Sequence, residues 1–140
     1  MKGNGMKYNG VIQRKFALLD KQLLQLRNHT DGVDFGSFKD DWAMRSMAER
    51  ALQVMVEIVI DVAERIIALE NAGPVASSAG AIEKLVELNV IKSTQPYSDM
   101  VRFRNLIVHQ YEEIDPVILY DIIENKLENF RQFRNEIDKQ

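Results

Sequence analysis

Val54-Met55-Val56-Glu57-Ile58-Val59-Ile60-Asp61-Val62-Ala63 is the stretch on which the fold turns. It lies in a run from Phe38 to Asn71 that contains no Gly or Pro. A helix of that extent is roughly 45–50 Å long at ~1.5 Å per residue. Its apolar residues cannot all share one face, so the helix must bury two sides. One side faces the bundle of its own chain. The sequence assigns the other to a second copy, which makes a homodimer the expected assembly.

Working outward, Ile12, Phe16, Leu19, Leu23 and Leu26 recur at steps of four and three, the spacing of an amphipathic helix. Residues 28–36 are rich in Asn, Thr, Asp and Gly and read as a loop. Ser37 is the expected N-cap of the long helix, with Asp40 and Asp41 in its first turn. Asn71-Ala72-Gly73-Pro74 stops it. A short helix is expected over residues 81–90, carried by Ile82, Leu85, Val86 and Leu88. Met100, Phe103 and Ile107 form the stripe of the next helix. Asp115-Pro116 starts the last one, an N-cap followed by Pro in the first turn. Tyr120, Ile123, Leu127 and Phe130 carry it to about Ile137. The expected fold is all-α, an antiparallel four-helix bundle with an extra short helix. Residues 1–10 are expected to be a flexible N-terminal segment and residues 11–138 a single helical domain.

With 140 residues, 46% of them hydrophobic, the chain can bury a core. It has no Cys, which removes disulfides and thiolate chemistry from consideration. The first ten residues lack the apolar run of a signal peptide. Val54 to Ala63, broken by Glu57 and Asp61, is too short to span a bilayer. The expectation is a soluble cytoplasmic protein with no membrane contact. A formal charge of −3 argues against a basic nucleic-acid-binding stripe. Contact with nucleic acid would be local, around Arg102 and Arg104.

Arg104-Asn105-Leu106-Ile107-Val108-His109-Gln110-Tyr111 is the segment that carries chemistry. It holds a titratable imidazole in a chain with only two His. Imidazole can take and give a proton near neutrality. The Arg fork suits phosphate oxygens, and Asn105 can hydrogen-bond a turn or a phosphate. On an ideal helix Arg104 and His109 are about 140° apart. Three routes could bring them together: the helix loosens before His109, the Arg side chain wraps back, or the pair acts across a symmetric interface.

Gln53, Glu57 and Asp61 make a polar row on the long helix, with Arg50 nearby. They form an ion-pair network, or Glu57 or Asp61 positions Arg104 or His109. The Glu-x-x-His pattern of carboxylate di-metal bundles is absent, and no metal or cofactor is expected.

Residues 104–111 match the R-N-x-x-x-H-x-Y form of the HEPN superfamily signature, as found in HepT-type toxins. Glu49-Arg50-Ala51-Leu52-Gln53, followed by Glu57 and Asp61, is similar to the family's long second helix. Residues 85–90, Phe103 and Glu113-Ile114-Asp115 also fit, so the resemblance covers roughly residues 10–137. It implies the toxin of a type VII-like toxin–antitoxin pair. The implied activity is metal-independent endoribonuclease on tRNA or mRNA, in a cleft at a homodimer interface. By the motif match, His109 is the general acid/base, Arg104 stabilises phosphate charge and Asn105 assists. The implied partner is a minimal nucleotidyltransferase antitoxin that neutralises the toxin by moving AMP onto Tyr111. The alternative is a non-catalytic helical module that docks a nucleotidyltransferase and helps bind its nucleotide or substrate.

Overall fold

A computed structural model describes Tyr8, residues 10–109 and residues 113–140. Among these, seven helices and no strand are found: α1 (Val11–Thr30), α2 (Phe35–Asp40), α3 (Trp42–Leu69), α4 (Ser78–Glu87), α5 (Tyr97–His109), α6 (Pro116–Asn125) and α7 (Glu128–Asp138). The fold is all-α. The long α3 is its centre and touches each of the other six.

Polar contacts fix the helix directions. Going up α1, Gln13 bonds Asp138, Asp20 pairs with Arg134 and Arg27 pairs with Glu128. Partner numbers fall as those on α1 rise, so α1 and α7 are antiparallel. Lys15, near the start of α1, pairs with Asp61 late in α3. The Tyr8 hydroxyl donates to Glu70 Oε2 at 2.8 Å, just past the end of α3. Tyr8 is thus buried in the core although the sequence placed it in the N-terminal segment. The rest of that segment, apart from Gly10, lies outside the described residues.

Caps explain most helix boundaries. Asp34 accepts from the Ser37 amide at 2.8 Å and starts α2, a short helix where the sequence suggested loop. Asp41 accepts from the Met44 amide at 2.9 Å and starts α3. Ser37 is therefore not the cap of the long helix; the carboxylate of Asp41 caps it, and that of Asp34 caps α2. At the far end Asn71 adopts φ 54°. Its N–H reaches Ala68 O, and that of Ala72 reaches Ile67 O. Asn89 (φ 60°) ends α4 in the same way. Asn tolerates this left-handed geometry better than other side chains with a Cβ. The final helix is interrupted at Lys126, where φ is −128°, and becomes α6 and α7.

The apolar middle of α3 is covered by its own chain. Met55, Val56, Ile58, Val59, Ile60 and Val62 are all buried, and Val54 is partly so. With α1 on one flank and α4, α5 and α6 on others, both sides of α3 are satisfied. This removes the reason the sequence offered for a second copy.

Phe133 is the aromatic hub of the bundle, edge-on to Phe16 at 6.2 Å and to Tyr97 at 5.2 Å. The Tyr97 hydroxyl donates to Glu136 on α7, and the other Glu136 carboxylate oxygen accepts from the Lys92 amide at 2.9 Å. Burial, then the bond to Glu136, push the Tyr97 phenol far above its ordinary 10.0. A group whose folded pKa is raised gives stability that is present below its unfolded pKa and lost as pH climbs towards the folded one. Stability is therefore expected to fall above pH 10.0, with a shallower fall in Tyr97→Phe. Denaturant titrations on either side of that pH measure it, and an equally steep fall in the variant contradicts the assignment.

Candidate active site

The packing of α5 decides where its functional side chains go. Tyr97, Met100, Val101 and Phe103 are buried and hold the helix against α3 and α4. Arg104 follows Met100 and Val101 at helical spacing and so continues the edge of the buried face. Its side chain is only 20% exposed. A guanidinium so enclosed needs partners. Arg104 Nη2 donates to Ser78 Oγ on α4 at 2.7 Å. Its Nη1 lies 3.8 Å from Glu57 Oε1 on α3, whose side chain is 41% exposed. Arg104 Nε is closed off from solvent and has no hydrogen-bond partner among the described residues.

Arg102, Asn105 and His109 fall on the opposite row, at i, i+3 and i+7, and all three are exposed. Asn105 and His109 are one turn apart and can act on the same group. Arg102 is tied to Asp99 at 2.6 Å on the surface. The helix is regular through His109, so it does not loosen before the imidazole. The Arg104 side chain is directed to Ser78 and Glu57, so it does not wrap towards His109. Within one chain the two remain about 140° apart around the axis and ~7.5 Å along it.

Of the polar row on α3, only Glu57 reaches Arg104. Asp61 pairs with Lys15 on α1, and Arg50 donates to Gln53 at 3.5 Å. Tyr111 lies outside the described residues. Among the described residues no group of three or more His, Cys, Asp or Glu could hold a metal ion, and no helix is long and apolar enough to cross a membrane.

Two neighbours of the site escaped the sequence reading. Ser78 sits 26 residues before Arg104, and no periodicity links them. Arg45 donates to the Lys39 carbonyl and pairs with Glu113 at 3.2 Å. It thereby ties the start of α3 to the segment just after the motif. Beside the exposed row lies an apolar cleft of about 590 Å³ between α3, α5 and α6, lined by Val56, Met100, Phe103, Leu106, Val117 and Ile118 among others. Leu106, Val117 and Ile118 are exposed around it.

A helical bundle whose fifth helix carries Arg104, Asn105 and His109 of this motif is a HEPN-type protein. The chain belongs to the HepT-like family: the family model described as Ribonuclease HepT-like matches residues 19–137. It is 32% identical over 130 residues to the mRNA nuclease HepT of Shewanella oneidensis, covering 89% of this chain and 94% of that one. It is 21% identical over 133 residues to the tRNA nuclease HepT of Aphanizomenon flos-aquae, covering 91% and 88%. A crystal structure of a toxin–antitoxin with AMP-PNP superposes with a TM-score of 0.87 at 25% identity, covering 94% of this chain and 100% of that one. The tri-AMPylated HEPN toxin of Shewanella oneidensis in complex with MNT antitoxin superposes with a TM-score of 0.85 at 27% identity, covering 94% and 99%.

Proposed function

We propose that this chain is the ribonuclease toxin of a toxin–antitoxin pair, acting on cytoplasmic RNA in a site shared by two copies. The observation that carries the shared site is the separation of Arg104 and His109 on an unbroken α5. A regular α5 and an Arg104 directed to Ser78 and Glu57 support the symmetric interface over loosening or wrapping. The exposed apolar patch of Leu106, Val117 and Ile118 adjoins the Arg102–Asn105–His109 row and gives a second copy a surface to cover.

In this reading the RNA 2′-hydroxyl attacks the adjacent phosphorus. His109 of one copy takes the hydroxyl proton or delivers one to the leaving 5′-oxygen. Arg104 of the other meets the charge that gathers on the phosphate oxygens. Asn105 donates to a phosphate oxygen, and Arg102 exchanges Asp99 for the RNA backbone. The products are a 2′,3′-cyclic phosphate and a 5′-hydroxyl, formed without added metal. A nucleotidyltransferase antitoxin silences the toxin by transferring AMP to Tyr111. Support comes from the relatives, named as mRNA and tRNA nucleases, and from the AMPylated toxin seen with its antitoxin.

Purified, unmodified protein is expected to cleave tRNA or mRNA in EDTA and to leave cyclic-phosphate ends. Intact RNA under those conditions contradicts the reading. It would favour instead a non-catalytic module that docks the nucleotidyltransferase.

A further inference from the structure

We infer that Ser78 is a positioning residue for Arg104, orienting its guanidinium without discharging it. The inference rests on the reading of Arg104 as the group that meets the phosphate.

Two serines stand together at the start of α4, and only one is needed to begin the helix. Ser77 is the N-cap, its Oγ accepting from the Gly80 amide at 2.9 Å. Ser78 takes no part in that cap. Its hydroxyl reaches across to α5 and accepts from Arg104 Nη2 at 2.7 Å in a partly buried setting. Of the two groups beside the guanidinium, Ser78 alone is at hydrogen-bond distance. Glu57, at 3.8 Å and 41% exposed, contributes charge but does not set a direction.

The difference matters because a full Arg–carboxylate pair would saturate the cation and compete with a phosphate for it. A neutral hydroxyl fixes one Nη without itself adding to the partial compensation that Glu57 gives the positive charge. It also holds the guanidinium away from a closer pairing with Glu57. Removing the hydroxyl frees Arg104 to turn towards the carboxylate, so the cation is both misdirected and more nearly neutralised. A misplacement of that kind lowers kcat, since the charge it should meet develops in the transition state.

The test compares Ser78→Ala and Ser78→Thr with the unaltered full chain. Cleavage of an RNA oligonucleotide gives kcat and KM, and thermal melting gives stability. Nitrogen NMR of the Arg104 side chain gives the rate of rotation about its guanidinium Cζ–Nη bonds. Ala is well tolerated in the first turn of a helix and Ser77 still caps it, so the melting temperature is expected to hold in Ser78→Ala. Its kcat is expected to drop about 10-fold with little change in KM. Guanidinium rotation is expected to speed up, and Ser78→Thr, which restores a hydroxyl, is expected to recover both. In an Arg104→Ala background Ser78→Ala should have no further effect on kcat. Wild-type kcat in Ser78→Ala overturns the proposal, as does a loss that follows the melting temperature and is not rescued by Thr. If no protein cleaves RNA, wild type included, it is the ribonuclease reading that falls. Guanidinium rotation then decides for Ser78 alone: faster rotation in Ser78→Ala upholds its grip on Arg104, and unchanged rotation refutes it.

Discussion

His109→Ala is expected to slow RNA cleavage about 100- to 10,000-fold, the usual contribution of a positioned acid or base. It should also relieve the growth arrest expected of the wild-type chain. The side chain is exposed at the last residue of α5 and packs in no part of the core. Stability should therefore change little, and the loss can be ascribed to chemistry. Arg104→Ala is expected to cost about 100- to 1,000-fold, in line with removing a group aimed at developing charge. Arg104→Lys keeps the charge but loses the planar fork, and should fall between that variant and wild type. Cleavage rates on one RNA, with melting curves alongside, measure all three. Full activity in either Ala variant would remove that residue from the site.

The second large effect is expected at Tyr111. When the chain is co-expressed with a nucleotidyltransferase antitoxin, its intact mass should rise by one AMP or more, and growth should recover. In the proposed transfer the phenol gives up its proton to solvent as its oxygen attacks the α-phosphorus of ATP, the bond to the bridging oxygen breaks and pyrophosphate leaves. Each AMP brings a phosphate to within two residues of His109, where it can occupy the Arg cation and close the cleft. Tyr111→Phe has no oxygen to accept the group. It should show no mass shift and stay toxic in the presence of the antitoxin. A mass shift that persists in Tyr111→Phe places the modification on another residue.

The helices were legible wherever a side chain repeats at helical spacing. The α1 stripe from Ile12 to Leu26 is buried at every position read from the sequence, and Asp115-Pro116 starts α6 as its capping chemistry requires. What the sequence hid was set by contacts between distant residues. Lys126 breaks the last helix with neither Gly nor Pro, so no local signal marks it. The α3 middle looked as though it needed a second copy because periodicity counts apolar faces but not the helices available to cover them. Four neighbours from the same chain suffice.

The site divides along the same line. Residue types and spacing named Arg104, Asn105 and His109, and the regular geometry of α5 puts Asn105 and His109 on one face. The partners that hold Arg104 were a different matter. Glu57 stood out as a carboxylate in an apolar zone, whereas Ser78 is a small residue in a small-residue loop. Only the packing of α4 against α5 reveals its bond.

Subunit complementation tests the shared site most directly. Arg104→Ala and His109→Ala chains, each inactive alone, are mixed and allowed to exchange. If each site takes Arg104 from one copy and His109 from the other, every mixed dimer regains one intact site. Random pairing then restores about a quarter of wild-type cleavage. Mixing that restores nothing, although exchange is verified, would mean that both groups act within a single chain and that no site is shared between copies.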